Sequence, residues 1–307
     1  MLHVNTPLLE ADRSYARAGV PLLLKMDALQ PSGSFKLRGV GHACAKAREA
    51  GAASIVCPSG GNAGFSAAYA ARKLGLPAII VVPETTSAEV RDTIALVGAE
   101  VIVAGSAFDE AHEHARALAD AAGAALIHPF DDPLLWTGHA TLIDEIVAAG
   151  ERFDVVVASV GGGGLLAGIV EGLRRNGLGD VPVIAVETEG AASLHRSIAE
   201  KRLVTLPAIT SIATSLGAKR VAPHALALVD EHPIVSVTVS DAEAVAACLK
   251  FADRFRVLVE PACGAALAVA DVHAGLLGAY RRPLIEVCGG VGASIGKLTA
   301  WRDALSP

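Results

Sequence analysis

Aromatic residues are scarce: Phe, Trp and Tyr make up 4% of the 307 residues, against 52% hydrophobic residues in all. A core with so few rings must be filled by Ala, Val, Leu and Ile, which suits a Val/Ile-rich parallel sheet covered by Ala/Leu-rich helices. Basic charge is in deficit. With 26 Lys and Arg against 32 Asp and Glu the net charge is −6, and no Lys/Arg stripe interleaves with aromatics, so no nucleic-acid partner is expected. Long apolar runs are missing; those present are strand-sized or broken by Gly and charge, so no membrane span is expected. Met1-Leu2-His3-Val4-Asn5 lacks a charged segment followed by an apolar one, and reads as no signal peptide. The five cysteines (Cys44, Cys57, Cys248, Cys263, Cys288) are odd in number, widely spaced and form no C-x-x-C. A disulfide framework or zinc site is not expected, and a reducing cytoplasm is the default.

Short β-branched runs alternate with longer Ala-rich segments. The runs predict strands at 22–24, 54–57, 78–82, 101–103, 125–127, 155–159, 183–186, 235–239, 257–259 and 284–287. Helices are expected around 38–50, 62–74, 87–97, 107–122, 136–149, 164–175, 241–253, 263–277 and 292–305. This alternation predicts an α/β fold with mostly parallel sheets. Asp241 reads as a helix N-cap and Gly75 as a helix stop. Three junctions share one design, an apolar strand, a glycine turn and a helix start: Cys57-Pro58-Ser59-Gly60-Gly61-Asn62, Ser159-Val160-Gly161-Gly162, and Val287-Cys288-Gly289-Gly290. In open α/β sheets ligands bind beyond such strand ends.

The glycine run Gly161-Gly162-Gly163-Gly164 costs much backbone entropy, and a plain turn needs only one or two glycines. At a helix start, its N–H groups can close around an anion. No Lys-Ser/Thr follows, so it is no P-loop. Gly162, Gly164 and Ala167 fit G-x-G-x-x-A, with Glu187 an acid after the next strand, so a nicotinamide-dependent oxidoreductase stays open from this segment alone. Lys36 lies in Pro31-Ser32-Gly33-Ser34-Phe35-Lys36-Leu37-Arg38-Gly39. A lone lysine is ordinarily a solvated surface residue. Here an aromatic adjoins it and glycines bracket it. Ser59-Gly60-Gly61-Asn62-Ala63-Gly64 reads as a helix start capped by Ser or Asn, and equally as a carboxylate receptor. Cys288 is either a small core residue or a thiol facing a ring nitrogen. His112-Glu113-His114 looks metal-like, but i and i+2 lie on different helix faces, so a solvated helix is expected. A nucleophilic amine, a ring face and a phosphate nest together point to pyridoxal 5'-phosphate.

With these residues in view, the chain resembles the serine/threonine dehydratase family of pyridoxal phosphate enzymes, whose fold is tryptophan-synthase-β-like (fold type II). The resemblance runs from Lys25-Met26-Asp27 through Phe130-Asp131-Asp132-Pro133 and Glu260-Pro261-Ala262-Cys263-Gly264 to Cys288-Gly289-Gly290. It implies two open, mostly parallel sheets with helices on both faces. Residues 1–29 and 133–307 would form a large cofactor-binding domain, and 30–132 a small substrate-binding one. It implies β-elimination of a small hydroxy amino acid, a homodimer, and Lys36 as Schiff-base lysine and catalytic base. Phe35 and Ala213 would lie on the two ring faces, Asn62 on the ring hydroxyl, and Gly161, Gly162, Gly163, Gly164 and Leu165 on the phosphate. Cys288 would face the ring nitrogen. Ser59, Gly60, Gly61 and Asn62 would receive the substrate carboxylate. Glu187, Ala191 and Ser193 match a monovalent-cation site (K+ or Na+). Racemases of the family carry Ser at the position of Gly60, which has no side chain to act on the second face.

Overall fold

The computed structural model describes residues 1–305. The chain opens with β1 (Leu8–Ala11) and β2 (Leu22–Lys25). There follow α1 (Lys36–Glu49), β3 (Ile55–Cys57), α2 (Asn62–Leu74), β4 (Ala78–Val82), α3 (Ala88–Leu96), β5 (Glu100–Val103), α4 (Phe108–Ala122), β6 (Ala125–Leu126) and α5 (Pro133–Ala148). The remainder carries β7 (Val155–Ser159), α6 (Gly164–Arg175), β8 (Val183–Thr188), α7 (Ser193–Glu200), α8 (Pro223–Glu231), β9 (Ile234–Val239), α9 (Asp241–Phe255), α10 (Pro261–Val272), α11 (Ala274–Leu277), β10 (Pro283–Glu286) and α12 (Ile295–Leu305). Contacts divide the chain into two compact units, Met1–Val4 with Gln30–His139, and Asn5–Leu29 with Ala140–Pro307.

The first unit holds a four-stranded parallel sheet in the order β5-β4-β3-β6. Its core is aliphatic, as the composition requires. Ile55, Cys57, Ile80 and Val82 pack with Ala63, Ala67, Ala70 and Ala71 of α2, all buried. Alanine on the sheet-facing stripe lets α2 lie close to the strands. Each fully buried Val or Ile side chain contributes about 1.5–3 kcal/mol. α2 stops at Gly75, whose φ of 70° is left-handed, as expected.

The second unit holds a six-stranded sheet, β1-β2-β10-β7-β8-β9, parallel except for β1. Val155, Val156 and Val157 of β7 are fully buried, as a central parallel strand requires. Three neighbouring strands, β10, β7 and β8, deliver Cys288, Gly161 and Glu187 at or just past their C-terminal ends.

Several expectations need correction. Residues 257–259 form no strand: Arg256 turns left-handed (φ 63°) at the end of α9, and the extended chain after it pairs with no ladder. The helix expected over 263–277 is two, α10 and α11, separated at His273. Asp241 is not the cap of α9. Ser240 is, in a capping box with Glu243, and Asp241 sits in the first turn. No helix among the described residues is long and apolar enough to cross a membrane.

Candidate active site

The lysine turn is built from local contacts. Gly33, at φ 76°, folds the chain so that its N–H donates to the Gln30 carbonyl at 2.7 Å. The Ser32 and Ser66 hydroxyls hydrogen-bond at 2.9 Å, tying this turn to α2. Phe35 precedes α1 with no side-chain cap, and Lys36 is the first helical residue. The Phe35 ring lies 4.9 Å from that of His139, which is fully buried. Lys36 Nζ sits 5.1 Å from the Phe35 centroid and donates to the Pro129 carbonyl at 2.5 Å. Both residues are half-buried.

The Asn loop starts α2, but not by a Ser or Asn cap. Gly61 is the N-cap residue, in extended conformation, and its N–H donates to Ser59 Oγ at 3.3 Å. Asn62 is buried at the first helical position. At a helix start the first N–H groups have no intrahelical acceptors, and this helix start lies next to the Ser59 hydroxyl. Gly60 is packed: a Cβ there would lie 2.9 Å from Thr86 Cγ2 and Oγ1.

In the second unit, Gly161, Gly162 and Gly163 turn β7 into α6. Gly163 is at φ 94°, and a Cβ on it would lie 2.3 Å from Ala225 Cβ. The Gly162 carbonyl accepts from the Ala222 N–H at 3.0 Å, which helps fix the loop. Gly164 and Leu165 open α6 and are buried. Ala213 is held by a small network. Its N–H donates to Ser211 Oγ (3.0 Å), and the Ser211 hydroxyl donates to Asp241 (2.5 Å). Asp241 also accepts the Ile212 N–H at 3.0 Å. That network, missed in the sequence, is what Asp241 does instead of capping.

Cys288 lies two residues past β10 and is buried. Its thiol is held well above the ordinary range by a hydrogen bond with Cys263, by burial, and by the nearby Glu286 and Glu260 carboxylates. It is therefore a neutral thiol at any ordinary pH. Glu260 also accepts the Gly292 N–H at 2.9 Å, steadying the loop after Cys288.

Glu187, Ala191 and Ser193 are all fully buried. The Glu187 carboxylate accepts N–H bonds from Leu194 (2.9 Å) and His195 (2.7 Å), and burial pushes its carboxyl up to about 7. It is thus engaged at the start of α7 rather than offered to a ribose, which removes the acid that the dinucleotide reading requires. Ser193 Oγ has no hydrogen-bond partner, a buried orphan oxygen beside a buried carboxylate. Among the described residues, no group of three or more His, Cys, Asp and Glu could hold a metal ion, so His112 and His114 are not ligands of such a cluster. His112 instead packs against Phe108 and His128.

Pyridoxal phosphate makes three demands, and each is met by something observed. An amine stands oriented at a helix start, a side-chain-free turn precedes α6, and an uncharged thiol ends the β10 loop. Fold and residues together define a two-sheet α/β enzyme dependent on this cofactor. The chain belongs to the pyridoxal-phosphate dependent enzyme family, whose pattern matches residues 1–289. It is 50% identical to human L-serine dehydratase/L-threonine deaminase, over 99% of this chain and 96% of that protein. A fungal L-serine ammonia-lyase structure from Rhizomucor miehei superposes with a TM-score of 0.91 at 36% identity, covering 99% of each chain. Maize serine racemase superposes with a TM-score of 0.87 at 25% identity, over 98% of this chain and 92% of that one.

Proposed function

We propose that this chain deaminates L-serine, and L-threonine as well, by β-elimination, giving pyruvate or 2-oxobutyrate and ammonia. The observation that carries this reading is the Lys36 amine, oriented at the start of α1 by the Pro129 carbonyl, in a chain half identical to a human serine dehydratase. When bound, the cofactor supplies an electron sink that makes the substrate α-proton acidic. The chain's own residues do the rest. Lys36 Nζ would hold the cofactor aldehyde, and its free amine would take the substrate α-proton. Phe35 and Ala213 would cover the ring faces, and Asn62 would hydrogen-bond the ring hydroxyl. The N–H groups of Gly161, Gly162, Gly163, Gly164 and Leu165 hold the phosphate. Ser59, Gly60, Gly61 and Asn62 take the substrate carboxylate at the start of α2. The β-hydroxyl leaves as water with one proton, and a second water releases ammonia, so the sum is amino acid to 2-oxo acid and ammonia with no external oxidant.

Cys288 belongs opposite the ring nitrogen. A neutral thiol there would leave the ring nitrogen without a proton, which would favour loss of the β-leaving group over transamination. Residues 30–132 would bring the carboxylate receptor together with Lys36, Phe35 and Asn62, and 1–29 with 133–307 would bring the phosphate turn, Ala213 and Cys288. The orphan Ser193 hydroxyl, Glu187 and Ala191 supply a K+ or Na+ site. The enzyme works as a cytoplasmic homodimer. Racemisation is the second reading, because racemases share this fold. Against it stands Gly60, which offers no acid or base. Pyruvate and 2-oxobutyrate release from L-serine and L-threonine, with and without added pyridoxal phosphate, tests the assignment, with Lys36→Ala as control. D-serine as the main product, or equal turnover by Lys36→Ala, overturns it.

A further inference from the structure

The carbonyl that orients Lys36 belongs to a turn, and one side chain closes that turn. His128 Nδ1 accepts the backbone N–H groups of Phe130 (3.2 Å) and Asp131 (2.8 Å). An Asn or Asp closes the same kind of turn with its Oδ1, two and three residues on. Pro129 lies between, with its carbonyl accepting from Lys36 Nζ. The far side of the turn is pinned as well: Trp136 Nε1–H donates to the Phe130 carbonyl at 3.0 Å. The imidazole ring is set edge-on to Phe130 (4.7 Å) and to His112 (5.2 Å).

We infer that His128 is a positioning residue for the reaction: by closing this turn through Nδ1 it fixes the Pro129 carbonyl, and through it the Lys36 amine. The inference rests on the assignment of Lys36 above. It also explains the tautomer. Two N–H groups aim at Nδ1, so the ring proton must be on Nε2, and a second proton would turn the acceptor into a donor facing two donors. Burial and the positive charge of His112, Lys36 and Arg116 hold the imidazole down to about 4, so the turn stays closed wherever the enzyme would work.

The test separates turn closure from mere packing. His128→Asn replaces Nδ1 with an oxygen at the same reach. His128→Phe keeps a ring but no acceptor. His128→Gln, with its acceptor one bond farther out, takes its place if the Phe protein does not fold. Each full-length protein, stripped of cofactor, is treated with pyridoxal and borohydride, and labelling at Lys36 is timed by peptide mass spectrometry. The reconstituted enzymes are assayed on L-serine. His128→Phe is expected to slow Lys36 labelling and kcat by about tenfold, with KM changed less than about twofold, because the amine is misaligned rather than the substrate. His128→Asn is expected to restore both to within about threefold. Wild-type labelling by His128→Phe, or an Asn protein as slow as the Phe one, overturns the inference alone. No label at Lys36 in the wild type overturns the functional assignment and the inference with it.

Discussion

Gly39 of α1 and Gly138 of α5 meet where their helices cross. A Cβ on Gly138 would lie 2.6 Å from Gly39 Cα and 2.5 Å from the Arg38 carbonyl oxygen, and one on Gly39 would lie 2.6 Å from the His139 ring. This contact seats the first turn of α1, and so the base of the Lys36 side chain.

Gly138→Ala should therefore cost about 1–3 kcal/mol of stability, since the new methyl meets backbone rather than a movable side chain. It should also slow Lys36 adduct formation in the protein that still folds. Thermal melts and borohydride trapping measure the two; an unchanged melting temperature would mean the helices can part freely.

Gly60→Ser should lose stability to the Thr86 contact and gain little racemisation by itself. Gly60→Ser with Thr86→Ala should recover the stability and raise the ratio of D-serine to pyruvate. Chiral chromatography of the products decides it, and a double variant no different from wild type in that ratio refutes the role given to position 60.

Gly163→Val combines a strained φ of 94° with a Cβ driven into Ala225. It should weaken cofactor affinity by at least about tenfold, with the serine KM little changed once the enzyme is saturated. Equilibrium dialysis with pyridoxal phosphate gives the number. Unaltered affinity in a folded variant would place the phosphate elsewhere.

Cys288→Asp puts a carboxylate where the structure holds a neutral thiol. Slower pyruvate formation and more transamination product are expected, because the ring nitrogen would gain a proton. If product partition is unaffected in a protein that binds cofactor normally, Cys288 is only a small core residue.

Stability should depend on pH through two opposed groups. His128 is held down to about 4 against an ordinary 6.5, so the unfolded chain binds its proton first. Its contribution is complete above 6.5 and is lost as pH falls toward 4. Glu187 is pushed up to about 7 from 4.5, so its contribution is present below 4.5 and lost as pH rises through 7. Subtracting the melting curve of His128→Asn from that of the wild type should isolate the first slope. A flat difference between pH 4 and 6.5 would contradict the depressed imidazole.

The parallel strands were legible because a strand buried on both faces reads as an unbroken β-branched run, as in Val155-Val156-Val157. β1 was missed for the converse reason: Leu8-Leu9-Glu10-Ala11 is an edge strand, partly exposed and without a β-branched residue. α7 (Ser193–Glu200) and α8 (Pro223–Glu231) were missed because they are short, eight and nine residues, about two turns each and too brief for a pattern to stand out. The site divides in the same way. Lys36, the glycine run and Cys288 stand out because their side chains, or the lack of them, are costly without a purpose. The Pro129 carbonyl has no signature in any sequence, and the acceptor role of His128 depends on a turn that only coordinates reveal. Ser240 took the cap of α9 because Asp241 was already committed to Ser211 and Ile212.

β10, the last strand of the chain, lies in the interior of the six-stranded sheet, between β2 and β7. On the ribosome, the four-stranded sheet has its last strand by residue 126, while β2 and β7 must wait unjoined until residue 286 emerges. Insertion of that strand closes the larger sheet and, two residues later, delivers Cys288. Completion of the larger sheet and arrival of the thiol proposed to meet the cofactor are thus nearly one event in the life of the nascent chain, with α12 still to follow. A partly synthesised chain holds the lysine but not yet that thiol.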